Sequence, residues 1–246
     1  TSSTGSNYGT GSTVKIGGTG NVVADNDTNS SKKKSDDVSA DEKKQYEANI
    51  PSGNPGHISN LVSSDFSSVT DDALKDSGST VSELGTDSYV MAGGFTTNCD
   101  SVTDTTDEQK DNANKILKYY AANPSLLTDL GVTGIDAETD DKSKIAVNID
   151  SILSVDANPS EEQKKSIKSG NGADVEFTGD GITFEDGTPY LVVHESTERE
   201  GTYDVLVVNA ADGSLDFNLE DLSPISIAKV SVVTVPVSDA TVSSSE

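Results

Sequence analysis

The chain has 246 residues, with 42 acidic against 17 basic side chains, a net charge of −25, and hydrophobic residues making up only 32% of it. A field of that sign repels phosphate backbones and anionic lipid headgroups, so nucleic acid and membrane surfaces are excluded as natural partners, and no stretch approaches the ~18 consecutive apolar residues of a spanning helix. The one cysteine, Cys99, excludes an internal disulfide and a cysteine-based zinc cluster.

With no Trp and 5% aromatic residues, a core must be assembled from Val, Ile, Leu and a few Phe and Tyr, and these are distributed unevenly. Residues 1–45 are Ser, Thr, Gly, Asn, Asp and Lys, relieved only by STVKI and NVVA. They cannot bury enough surface to offset ordering, roughly 1–2 kcal/mol per backbone residue, and read as a low-complexity flexible stalk. The opening TSSTGSNYGTGST reads as material following a removed export signal. Asp25, Asp27 and Asn29 alternate as in the start of a calcium loop, but the sixth position lacks Gly and three lysines follow, so a solvated tail is the stronger reading.

A folded domain is expected over 60–235. SNLVSSDFSSV brings Leu61, Val62, Phe66 and Val69, and SYVMAGGF reads as a strand broken at Gly93-Gly94. The clearest helix spans 105–123: Thr105 and Glu108 have capping-box spacing, and Ala113, Ile116, Leu117, Tyr120 and Ala121 form one apolar stripe. Asn123-Pro124 ends it. In SKIAVNIDSILSV, Ile145, Val147 and Ile149 alternate with polar residues as in a half-buried strand. A short helix near 159–169 is signalled by Ser160 and Gln163 at capping-box spacing; Ile167 is its lone large apolar residue, which makes it a surface crossover.

The rest is strands and turns: DVEFTG, GITF, PYLVVHE, TYDVLVVNA, SLDFNL and PISIAKVSVVTV, joined by Gly and Asp connectors suited to hairpins. In the last hairpin Phe217 and Leu219 alternate with Asn218 and Glu220, which places these polar groups on the face opposite the apolar ones. Pro224 marks a strand start or edge, after which Ile225 and Ile227 resume the inward face. Residues 236–246 read as a Ser-rich linker. The expected fold is therefore mainly β, of the α+β kind: an antiparallel β-sandwich with one amphipathic helix and one short crossover helix.

GITFEDGTPYLVVHES followed by GTYDVLVVNAADGSLDFNLEDLSPISIAKV resembles the β-sandwich module of exported surface proteins of gut Gram-positive bacteria, and its strand order is similar to the ZU-type domain of ankyrins and netrin receptors. The likeness is most specific over 181–230. It implies an extracellular, non-catalytic module. Val208-Asn209 stand where that family often carries a Trp, so a Trp-dependent role in sugar stacking is not implied. The same resemblance raises an isopeptide bond between Lys229 and one of Asn148, Asn209 or Asn218, against the ordinary alternative of a solvent-facing lysine.

Other candidates come from the residues themselves. Asp136, Glu138, Asp140 and Asp141 lie close together and supply hard oxygen ligands for Ca²⁺, although Lys142 and Lys144 can neutralise them. His57 and His194 are the only imidazoles; with Ser196 and Glu198, His194 suggests a hydrolase, but no G-x-S-x-G motif surrounds a serine, and a strand-end His is ordinarily an exposed or core-edge residue. Tyr119, beside Tyr120 of the apolar stripe, is a candidate anchor on a binding surface.

The expectation is a non-catalytic, exported structural or adhesion module of a Gram-positive bacterium, monomeric, without cofactor, and attached to the wall through a region beyond Glu246. Its partner would be an extracellular protein or glycan, with no nucleic acid and no membrane insertion. A calcium- or carbohydrate-binding accessory module is the alternative, and a hydrolase the third.

Overall fold

The computed structural model describes residues 58–85, 95–99, 101–169, 172–179, 184–197 and 199–237. The stalk, His57, Glu198, residues 86–94 and the segment after Val237 lie outside them. The protein is mainly β, with two sheets and few helices among the described residues.

In chain order the described elements are β1 (Ser59–Val62), α1 (Ser63–Phe66), α2 (Asp71–Ser77), β2 (Thr80–Ser82), β3 (Phe95–Thr97), β4 (Ser101–Asp104), α3 (Asp107–Ala122) and α4 (Ser125–Asp129). There follow β5 (Ser143–Asn158), α5 (Glu161–Lys168), β6 (Ala173–Gly179), β7 (Pro189–Glu195), β8 (Thr202–Asn209), β9 (Ser214–Leu219) and β10 (Pro224–Pro236). A seven-stranded sheet runs β1-β8-β7-β10-β5-β2, with β4 also on the outer edge of β5, and a three-stranded sheet runs β3-β6-β9. All pairings are antiparallel except that of β2 with β5, which is parallel and corrects the expectation of a wholly antiparallel fold.

The large sheet is buried on both faces. Leu206 and Val208 of β8 share one apolar cluster with Val175, Phe177, Leu215 and Phe217 of the small sheet, while Val205 and Val207 join Ile116, Leu117 and Tyr120 of α3 in a second. This double burial is why β7 and β8 read as continuous apolar runs. Each such side chain contributes about 1.5–3 kcal/mol on leaving water.

β5 serves both cores by means of a bulge. Ile227 pairs with Leu153 and Ala228 with Ser151, leaving Ile152 as an extra residue. Val147 and Ile149 therefore face α3, and Leu153, Val155 and Ala157 face the small sheet, although all have odd numbers.

The helix α3 carries the expected stripe, with Ala113, Ile116, Leu117, Tyr120 and Ala121 buried. Its cap is one residue later than the spacing indicated: Thr106 accepts from the Gln109 N–H while the Gln109 side chain accepts from the Thr106 N–H. Ser160 and Gln163 form the expected box at α5. The first described residue, Ile58, is buried, and β10 ends one residue into the expected linker, with the Val237 N–H donating to the Lys142 carbonyl.

Candidate functional site

At one end of the two sheets, the link from β9 to β10 meets the connection from β7 to β8, and five charged side chains converge. His194 comes from the end of β7, Asp204 from β8, Arg199 from the connection between them, and Glu220 and Asp221 from the link that crosses from the small sheet to the large one. None is more than 3% exposed. Asn218 and Glu220, which alternation sets on the face opposite the apolar residues, are themselves buried, and His194 is neither exposed nor at the core edge: it is 0% exposed.

The imidazole lies between two carboxylates, with Nδ1 3.1 Å from Asp204 Oδ2 and Nε2 2.9 Å from Asp221 Oδ1. Arg199 Nη2 reaches both Asp204 oxygens at 3.0 and 3.2 Å and Glu220 Oε2 at 2.6 Å, and its Nε donates to the same Glu220 oxygen at 3.1 Å. Three hydroxyl and amide groups complete the set. Asn60 of β1 donates to Asp204 Oδ1 at 2.5 Å, Ser196 donates to Asp221 Oδ2 at 3.4 Å, and the Arg199 N–H donates to Ser196 Oγ at 3.0 Å.

Buried charges persist only when paired. Burial alone would push the His194 pKa down, but the Asp221 and Asp204 carboxylates outweigh it and raise the value to about 10. Asp204 and Asp221 go below the usual carboxylate range despite their burial, held there by Arg199 and His194. Desolvation raises Glu220 to about 8 in spite of Arg199. Two cations then face three acids, of which Glu220 is the one that desolvation biases toward its neutral form.

Ser223 adds a geometry with chemical interest. Its Oγ is 2.7 Å from His194 Nε2, and His194 Nδ1 is on Asp204, the order of a nucleophile, base and acid. A cleft of ≈400 Å³ lined by Ser223, Ser196, Glu195, Glu200 and Asp156 adjoins it. The protonation runs the other way, however. A base must be free to take the hydroxyl proton, whereas the two carboxylates raise the His194 pKa to about 10 and so favour the protonated ring, and Nε2 lies 2.9 Å from Asp221 Oδ1 as well as 2.7 Å from Ser223 Oγ. The Ser223 hydroxyl in turn donates to the Glu195 carbonyl. The arrangement fastens two sheet connections together.

The other anticipated residues stand apart from this cluster. Asp136, Glu138, Asp140 and Asp141 are exposed. Asp140 Oδ1 accepts from the Lys142 N–H and the Ser143 hydroxyl, each at 2.9 Å, which holds its carboxyl low. Among the described residues no three His, Cys, Asp or Glu side chains gather as a metal site. Lys229 Nζ donates to Glu185 Oε1 at 2.9 Å at the sheet surface, while Asn148 accepts from Thr80 and Asn218 donates to Asp174. Tyr119 is half-buried, its ring edge-on to Tyr120 at 5.2 Å. Cys99 is buried, and desolvation pushes its thiol up to about 11, which makes it unreactive. No helix among the described residues is long and apolar enough to cross a membrane.

Arg199, Asp204 and Ser223 escaped the sequence reading. The available signal was Asp204 itself: one acid inside TYDVLVV must be buried on a strand whose two faces are both covered, and it therefore demands a cation.

Compared with protein-family models, with curated protein sequences and with solved structures, the chain matches none.

Proposed function

We propose that this chain is a non-catalytic, exported cell-surface module of structural or adhesive type from a Gram-positive bacterium, built on a β-sandwich. The observation that carries the non-catalytic reading is the closed cluster of His194, Arg199, Asp204, Glu220 and Asp221: the imidazole among the described residues is committed to two ion pairs and withdrawn from solvent. Side chains of both sheets share one apolar cluster, which favours the sandwich. The resemblance over 181–230 supports export and surface placement, and the acidic surface suits a domain that must stay soluble and repel anionic envelopes.

The test is made on intact cells that produce the native protein. Antibodies against the folded domain should label unpermeabilised cells, and brief protease treatment should release the domain; labelling that requires lysis would overturn the reading. A hydrolase is the second reading, favoured by the 2.7 Å approach of Ser223 to His194 beside a cleft. A fluorophosphonate probe should leave Ser223 unmodified, and stoichiometric labelling of Ser223 that is lost in Ser223→Ala would establish the hydrolase instead.

A further inference from the structure

β10 is longer than the strand beside it. It pairs with β5 along its whole length, but with β7 only over residues 225–229, where Lys229 faces Tyr190. β7 begins at Pro189, which lacks an N–H, and the chain before it turns away: the Ala210 N–H donates to the Thr188 carbonyl and the Gly187 N–H to the Ala210 carbonyl, tying residues 187–188 to the β8 side. Among the described residues nothing pairs with residues 230–236 on that edge. At its root, directly in line with β7, lies a cleft of ≈380 Å³ lined by Pro189, Asn209, Val132, Val230 and Val232.

An edge of this kind ordinarily carries a charge or proline that blocks pairing. Here the sequence is Val230, Ser231, Val232, Val233, Thr234 and Val235, with Pro236 only at the end. The unmet backbone groups call for an extended chain, and the valine-lined cleft calls for an apolar side chain at the first inward position. The surroundings are acidic at both ends. Asp136, Glu138, Asp140 and Asp141 stand against Lys142 and Lys144 near the ribbon tip, and Glu185, Asp186 and Asp212 against Lys229 near the root. A second copy would bring the same acidic ends and a net charge of −25 onto its mate, which disfavours it as the occupant.

We propose that the open edge of β10 at residues 230–236, with the cleft at its root, receives an extended peptide segment of another protein by strand addition, apolar at alternate positions and basic at its ends. The inference stands apart from surface location: it is read on the purified chain, whereas location is read on cells.

The probe is a synthetic peptide alternating valine and threonine with lysines at both ends, titrated by calorimetry into the full chain. It should bind, and a counterpart ending in glutamates should bind about tenfold more weakly or worse. Backbone N-methylation at one alternate set of positions should abolish binding, and at the other set leave it intact, because only one set faces the edge. Val232→Lys should weaken binding, and because Val232 also packs against the helix-side core it should lower the melting temperature as well; the methylated pair decides the matter even if that variant fails to fold. The proposal is overturned if the lysine-ended peptide does not bind, if both methylated sets act alike, or if the free chain is a dimer that Val232→Lys dissolves.

Discussion

Glu220 is the acid whose proton sets the balance of the buried cluster. With Glu220 protonated, Asp204 and Asp221 match Arg199 and His194; once it ionises, three buried negative charges face two positive ones. The linkage follows from the directions of the shifts. The His194 pKa is raised from 6.5 to about 10, so its contribution is complete below the first value and is lost as pH rises through the second. Glu220, raised from 4.5 to about 8, favours its protonated form in the fold, and that contribution also fades as pH rises. Asp204 and Asp221, lowered below 3.8, lose theirs only in strong acid. Stability measured by urea unfolding should therefore be greatest in mildly acidic solution and fall from about pH 4.5 upward until about pH 10. Glu220→Gln, which fixes the neutral form, should match the native protein near about pH 4 and exceed it progressively up to about pH 8, beyond which the gap stays constant; a parallel decline of the two proteins across that window would place the loss elsewhere. Asp204→Ala removes the carboxylate that His194 and Arg199 share, leaving each buried cation with one partner, and should cost about 3–5 kcal/mol in the same assay. Of this site, His194, Glu220 and Asp221 were visible in the sequence as chemical residue types. Their partnership was not, because it joins a strand, a β7-to-β8 connection and a sheet-to-sheet link that only the fold brings together.

Elements were more legible where one local rule decides them. The stripe of α3 and the Ser160 and Gln163 box of α5 are set by side chains within a few residues, and both stand as read. At Thr105 two adjacent threonines competed, each with a capping partner three residues on, and Thr106 caps the helix while the buried Thr105 hydroxyl is engaged with Ser154 Oγ at 2.6 Å. β5 shows where a period-two reading fails. Alternation over Ile145, Val147 and Ile149 predicts the same face for Leu153, Val155 and Ala157, and the bulge at Ile152 sends them to the other core. Deleting Ile152 removes the extra residue and leaves Ser151 opposite Ala228 and Leu153 opposite Ile227, so Leu153, Val155 and Ala157 should keep facing the small sheet while Val147 and Ile149 keep facing α3. The expected outcome is a protein that still unfolds cooperatively by circular dichroism, with a midpoint lowered only by the local loss at the bulge. A variant without cooperative unfolding would show that the bulge itself, and not the pairing on either side of it, holds the two faces.

The whole molecule carries a charge of −25, so surface and interior respond differently to salt. The buried cluster lies beyond the reach of screening. The surface carboxylates repel one another across distances that a Debye length of ~30 Å at 0.01 M permits and one of ~3 Å at 1 M removes. Added sodium chloride at neutral pH should therefore raise the melting temperature, by about 2–4 °C for each ~1 kcal/mol of repulsion screened in a domain of this size. A specific ion gives a different signature, because binding to the native state stabilises in proportion to the logarithm of free ligand and depends on identity. The exposed Asp136, Glu138, Asp140 and Asp141 do not converge, and Asp140 is already engaged with Lys142 and Ser143. Calcium and magnesium at equal ionic strength should then raise the melting temperature equally, and the chloride series should account for both. A shift with calcium alone, abolished by Asp140→Asn and Asp141→Asn together, would mean that these carboxylates close around the ion and that the acidic loop is a binding site.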